Sequence, residues 1–178
     1  MLRTASSSVT PSSTRVATRA ALVAFGALFL AQGVAKALDP VGYMAAIDTF
    51  HVLAPSRLGP LSLGALGLGW TVLELFAGVA MLYGGLVRAP RTKVPLVGIL
   101  LALGLSFTYF ALDAGALSRH LHVLNSTTFG AWLAQPVSPL VLVQQAALMG
   151  LLTWLFMRVT WWWAPRYLRP RITPATSS

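Results

Sequence analysis

The sequence predicts an all-α integral membrane protein, a four-helix bundle with a short interfacial helix between spans 1 and 2. Three observations predict it. Four apolar stretches, residues 18–38, 61–86, 94–117 and 139–159, can each cross a hydrocarbon layer of about 30 Å, which takes roughly 20 helical residues. Only 10% of the 178 residues are charged and 56% are hydrophobic, whereas soluble domains are about one-quarter charged. Finally, the basic residues are distributed one-sidedly along the chain. Unpaired backbone amides are not tolerated in lipid, so the stretches must be helices or barrel strands. They lack the polar–apolar alternation of barrel strands, which leaves helices.

The charge pattern sets the expected topology. Arg3, Arg15 and Arg19 precede span 1; Arg88, Arg91 and Lys93 fill the short second loop; Arg158, Arg166, Arg169 and Arg171 lie at or beyond the end of span 4. Only Lys36, Arg57 and Arg119 belong to the other side. Short loops rich in Lys and Arg stay cytoplasmic, so both termini are expected inside a bacterial inner (plasma) membrane. The net charge of +9 is thus a topology signal, and no basic patch interleaved with aromatics suggests nucleic-acid binding. The absence of cysteine excludes disulfides and thiolate metal sites within this chain.

Taken in order, residues 1–16 are rich in Ser, Thr and Arg and read as a disordered cytoplasmic tail. Span 1 follows. Its apolar run ending in Ala35-Lys36-Ala37 also has the outline of a cleaved signal peptide, but the Lys inside the small-residue motif and the length of the run favour a retained helix. Asp39-Pro40 then reads as a helix N-cap with proline in the first turn. Val41, Met44, Ile47 and Phe50 recur every third residue, which suggests a short helix lying at the outer interface and ended by Pro55. Spans 2 and 3 carry Gly64, Gly67, Gly69, Gly78, Gly98 and Gly104, residues that let membrane helices approach closely. The spacing of the first three is wrong for a dinucleotide fingerprint. The loop from residue 118 to 138 holds His120 and His122, read with His51 as solvated histidines rather than as metal ligands. Trp161, Trp162 and Trp163 suit a headgroup anchor. The membrane domain is therefore bounded at residues 17–163, with a basic tail over 164–178.

Polar residues within the spans mark the candidate site. Gln32 and Lys36 share one face of span 1, and Ser106, Tyr109 and Asp113 share one face of span 3. Glu74 lies near the middle of span 2, where a lone carboxylate must be paired, neutral or facing a cavity. With Asp39 at the end of span 1 and Gln144 and Gln145 in span 4, these residues outline an outward-facing polar pocket for a ligand or a proton. Measured from the span ends, Lys36 lies near the outer boundary and Glu74 well below it. A contact between them is expected to need Lys36 bent inward, or Gln32 or Tyr109 as a bridge. No Ser-His-Asp arrangement or nucleophile elbow is present, so the chain reads as a binding or accessory protein rather than an enzyme.

Gly33-Val34-Ala35-Lys36 with Asp39-Pro40 and residues 47–55 resembles the first-span signature of the DoxX-like superfamily, with its methylamine-utilisation MauE branch the nearest in pattern. Leu73-Glu74-Leu75 with Gly78, Leu82 and Gly84 resembles that family's second-span pattern. Phe129-Gly130, Leu133 and Pro136 resemble the segment before its fourth span. The resemblance covers residues 20–157 and implies a four-span protein associated with redox processes, such as maturation of a periplasmic dehydrogenase. Many relatives carry a Cys-Gly-Cys-Phe-Gly motif where this chain has Ser126-Thr127-Thr128-Phe129-Gly130. Hydroxyls at Ser126 and Thr128 cannot perform dithiol exchange. The expected partners are therefore the lipid bilayer and a periplasmic redox protein or dehydrogenase. No cofactor is evident. A quinone-linked membrane subunit and a small proton-coupled transporter are the alternative readings.

Overall fold

The computed structural model describes residues 12–49, 60–87, 93–120, 124–125 and 135–167. Its elements are α1 (Ser12–Leu38), α2 (Pro40–Thr49), α3 (Pro60–Leu86), α4 (Val94–Ser118), two short strands β1 (Leu124–Asn125) and β2 (Gln135–Pro136), and α5 (Pro139–Tyr167). Four helices (α1, α3, α4 and α5) are long and apolar enough to cross a membrane. The all-α bundle with a short helix between spans 1 and 2 is the fold of this chain. Helix α1 begins at Ser12, inside the segment read from sequence as a tail, and α5 continues to Tyr167, past the expected domain edge at residue 163. Residues 1–11 and 168–178 lie outside the described residues.

The buried stripes follow helical periodicity. On α1, Thr18, Leu22, Gly26, Phe29, Gln32, Gly33 and Lys36 face inward; on α3, Gly67, Thr71, Glu74, Ala77, Gly78 and Met81 do so. On α4 the inward residues are Pro95, Gly98, Ile99, Ala102, Leu105, Ser106, Tyr109, Asp113 and Ala116. Apolar residues fill the half of the bundle away from α2: Leu22, Phe29, Met81, Ile99, Leu152, Leu155 and Val159 form one core.

Helices α1 and α3 make the tightest joint. A Cβ placed on Gly78 would lie 2.6 Å from the Leu30 backbone nitrogen, and one on Gly26 would lie 2.7 Å from that of Leu82. Only glycine permits this approach, as in other close membrane crossings. At the far end, an Arg19 guanidinium nitrogen donates to the Val87 carbonyl at 2.7 Å, occupying an acceptor that the end of α3 leaves open. Helix α2 is joined to α1 by Asp39 alone. As expected, Asp39 is its N-cap: Oδ1 accepts from the Gly42 backbone N–H at 2.9 Å, with Pro40 in the first turn. Between α4 and α5, β1 and β2 pair antiparallel, Leu124 opposite Pro136 and Asn125 opposite Gln135.

Candidate functional site

The glycine contacts set the register of α1 against α3. Gly26 meets Leu82, Leu30 meets Gly78 and Gly33 meets Leu75, so Lys36 comes level with the turn that carries Glu74. The expected depth difference between Lys36 and Glu74 does not exist. It assumed that α1 and α3 end at the same level. Instead α3 extends past the end of α1 by more than two turns, and α2 packs beside that extension, with Met44, Tyr43 and Ile47 all close to Gly67. No bend or bridge is needed.

The Lys36 ammonium hydrogen-bonds and ion-pairs directly with Glu74 Oε1. It also donates to the Tyr109 hydroxyl at 2.9 Å, and that hydroxyl donates to the same Glu74 Oε1 at 2.5 Å. Three helices thus contribute one group each to a closed triangle. Oε1 accepts from both an ammonium and a phenol, a pattern that suits a carboxylate. The ammonium also sits over two aromatic faces, 4.9 Å from the Tyr43 ring centroid and 4.5 Å from that of Tyr109, where the ring quadrupoles favour a cation. Trp70 packs against Tyr109 with centroids 6.2 Å apart.

The expected open pocket is closed in this structure. Glu74 is 0% exposed, and Lys36 and Tyr43 are 1% exposed. Tyr43 closes the group because the Asp39 cap starts α2 four residues before it, which turns its ring over Lys36. Of the three-residue repeat expected along α2, Met44 and Ile47 do pack near Gly67, but Val41 is 75% exposed, and the most buried residues are Tyr43 and Ile47, one turn apart. Burial also pushes the Tyr43 hydroxyl well above its ordinary pKa, so it stays a neutral phenol.

One turn along α4 from Tyr109, buried Asp113 accepts a hydrogen bond from Gln145 Nε2 through Oδ2 at 2.5 Å. Gln144, named from sequence with Gln145 as a pocket candidate of span 4, is exposed on the outside of the bundle. Successive helical residues point about 100° apart, and it is Gln145 that turns inward. Asp39 does not join the group, being engaged as the α2 cap. Gln32 is buried on the Lys36 face of α1. His120 is exposed and takes a left-handed conformation (φ 54°) just after α4, where its N–H bonds the Leu117 carbonyl at 3.1 Å as a helix-ending residue. His51, His122, Ser126, Thr128, Phe129 and Gly130 lie outside the described residues.

Gln145→Leu is expected to destabilise the bundle by about 1–3 kcal/mol, because it removes a donor from a buried carboxylate. Gln144→Leu should stay within about 0.5 kcal/mol of the parent. Unfolding of the purified protein in detergent against increasing denaturing detergent reads both. Equal effects at the two positions would contradict the inward assignment of Gln145.

Sequence reasoning did not single out Tyr43. The signal was its place one turn after a strong N-cap, as the first aromatic of a helix tethered at the polar end of span 1. No family model, curated protein or solved structure matches the chain.

Proposed function

We propose that this chain is a multi-pass accessory protein of a redox system in a bacterial inner membrane, DoxX/MauE-like in kind, with Lys36, Glu74 and Tyr109 as its working group. One observation carries this reading. Two of the three motifs on which the resemblance rests meet in space: Lys36 of the first bonds Glu74 of the second, and Gly33 of the first packs against Leu75 of the second. Motifs 38 residues apart that close on one charged group are expected of a shared site. Any dithiol chemistry in such a system belongs to a periplasmic partner, because this chain has no cysteine. Transport of a proton across the bilayer is less well supported, since the core beyond Glu74 is built from Ala77, Met81, Ile99, Leu152 and Leu155.

Helix packing brings Arg19, Lys93 and Arg158 to the end opposite α2, which favours cytoplasmic termini and an outward α2. Reporter fusions after residue 91 and at the C-terminus are both expected to report cytoplasm. An exported C-terminus would contradict the topology.

The function is tested by deleting the gene in its native cell and trapping the thiols of exported proteins with an alkylating agent. At least one periplasmic redox protein or dehydrogenase subunit is expected to accumulate with unpaired cysteines, and the wild-type gene should reverse this. An unchanged thiol profile would refute the reading.

A further inference from the structure

Glu74 uses only half of its carboxylate. Oε1 receives both the Lys36 and the Tyr109 hydrogen bonds, while Oε2 is buried with no hydrogen-bond partner among the described residues. An unsatisfied buried acceptor carries a desolvation penalty, and a larger one when it is charged. Oε2 as an acceptor and the Tyr43 hydroxyl are both left without partners among the described residues, so the group retains hydrogen-bonding capacity for a ligand.

The cover over the group is α2, whose Tyr43 ring lies against the Lys36 ammonium. It is tied to α1 through the single residue Asp39, and part of its seat on α3 is glycine. A Cβ on Gly64 would reach only Met44 Sδ, at 3.5 Å, and one on Gly67 would stand 3.4 Å from Met44 Cγ. At these two positions no α3 side chain interlocks with α2.

We propose that the Lys36–Glu74–Tyr109 group is a ligand site captured closed, that α2 is its lid with Tyr43 as the latch, and that it takes a neutral hydroxyl at Glu74 Oε2. This rests on the reading of the group as the working site. The charge of the neighbours selects the ligand class. A cationic donor would be brought close to the Lys36 ammonium, and an anion would face the Glu74 carboxylate, both repelled strongly where the dielectric is low. A neutral hydroxyl donates to Oε2 without either conflict. The rings of Tyr43, Tyr109 and Trp70 suit an aromatic or otherwise lipid-soluble body attached to it.

The absence of cysteine makes the lid testable in the full-length chain. A Cβ at position 67 would stand 3.4 Å from Met44 Cγ, the place that the sulfur of a cysteine at 44 can take, so Met44→Cys/Gly67→Cys should lock α2 when oxidised and free it when reduced. Glu74 modification by dicyclohexylcarbodiimide is mapped by peptide mass in both states, counting both the N-acylurea adduct and the Lys36–Glu74 amide formed when the adjacent amine displaces dicyclohexylurea. The two states are first checked for equal resistance to denaturing detergent. Glu74 is expected to react in the reduced protein and to fall to background when oxidised. Phenol should suppress the reaction of the reduced form, and anisole, which has the same ring without the donor, should not. Equal labelling in both redox states, no labelling in the reduced state, or equal suppression by anisole would each overturn the proposal. If labelling follows the lid but the gene deletion leaves exported thiols unchanged, the redox function falls and the ligand site stands.

Discussion

Lys36→Met is expected to cost about 3–5 kcal/mol, the loss typical of removing one partner from a buried ion pair. The Glu74 carboxylate would remain in the core with Tyr109 as its only donor among the described residues, in surroundings that resist a lone charge. The cost belongs to the stranded charge rather than to the lost contact. The double variant Lys36→Met/Glu74→Leu should therefore recover most of the stability, since an apolar pair of similar volume often replaces a buried ion pair at no loss. Unfolding in mixed micelles of the parent, both single variants and the double variant closes the cycle. A double variant as unstable as the sum of the singles would show that the two side chains do not act as a pair.

Gly78→Leu should have an effect of comparable size. Even the first carbon of the new side chain would lie 2.6 Å from the Leu30 nitrogen and 2.9 Å from the Gly26 carbonyl oxygen, and backbone cannot rotate away as a flexible side chain can. Helices α1 and α3 must separate, at a cost at or above the roughly 1–3 kcal/mol usual for overpacking. Separation also draws Lys36 away from Glu74, so the charged group is lost with the joint. Gly104→Leu is the matched control, because a Cβ there meets nothing within 4 Å, and it should leave stability unchanged. Helical content and resistance to denaturing detergent compare the two. Equal behaviour would mean that the α1–α3 approach is not what glycine 78 provides.

The spans, their inward faces and the α2 cap were legible in the sequence because each is a local property. Apolar length, a three-to-four-residue period and an Asp-Pro start depend on residues within one or two turns of each other. Ser106, Tyr109 and Asp113 on one face of α4, and Gln32 with Lys36 on one face of α1, follow from the same periodicity. The closeness of Lys36 to Glu74 was not legible, because it depends on how far one helix slides along another. That slide is set by Gly26, Gly33 and Gly78 together, and glycines in sequence announce close packing without naming their partners. The choice of Gln145 over Gln144 turned on a single residue of rotation at the start of α5. Tyr43 was hidden by a run of apolar residues spaced by three, of which Met44 and Ile47 pack near Gly67 but Val41 does not, and which masked the four-residue step from Tyr43 to Ile47.

Under the proposed function the Lys36–Glu74–Tyr109 group works and does not merely hold helices together. Complementation of the deletion strain by Lys36→Met/Glu74→Leu tests this most directly, because that variant keeps the fold while removing both charges. The expected result is a stable, membrane-inserted protein that leaves the exported thiol defect uncorrected. Full correction by this variant, at wild-type protein levels, would contradict it and reduce the buried pair to a packing device.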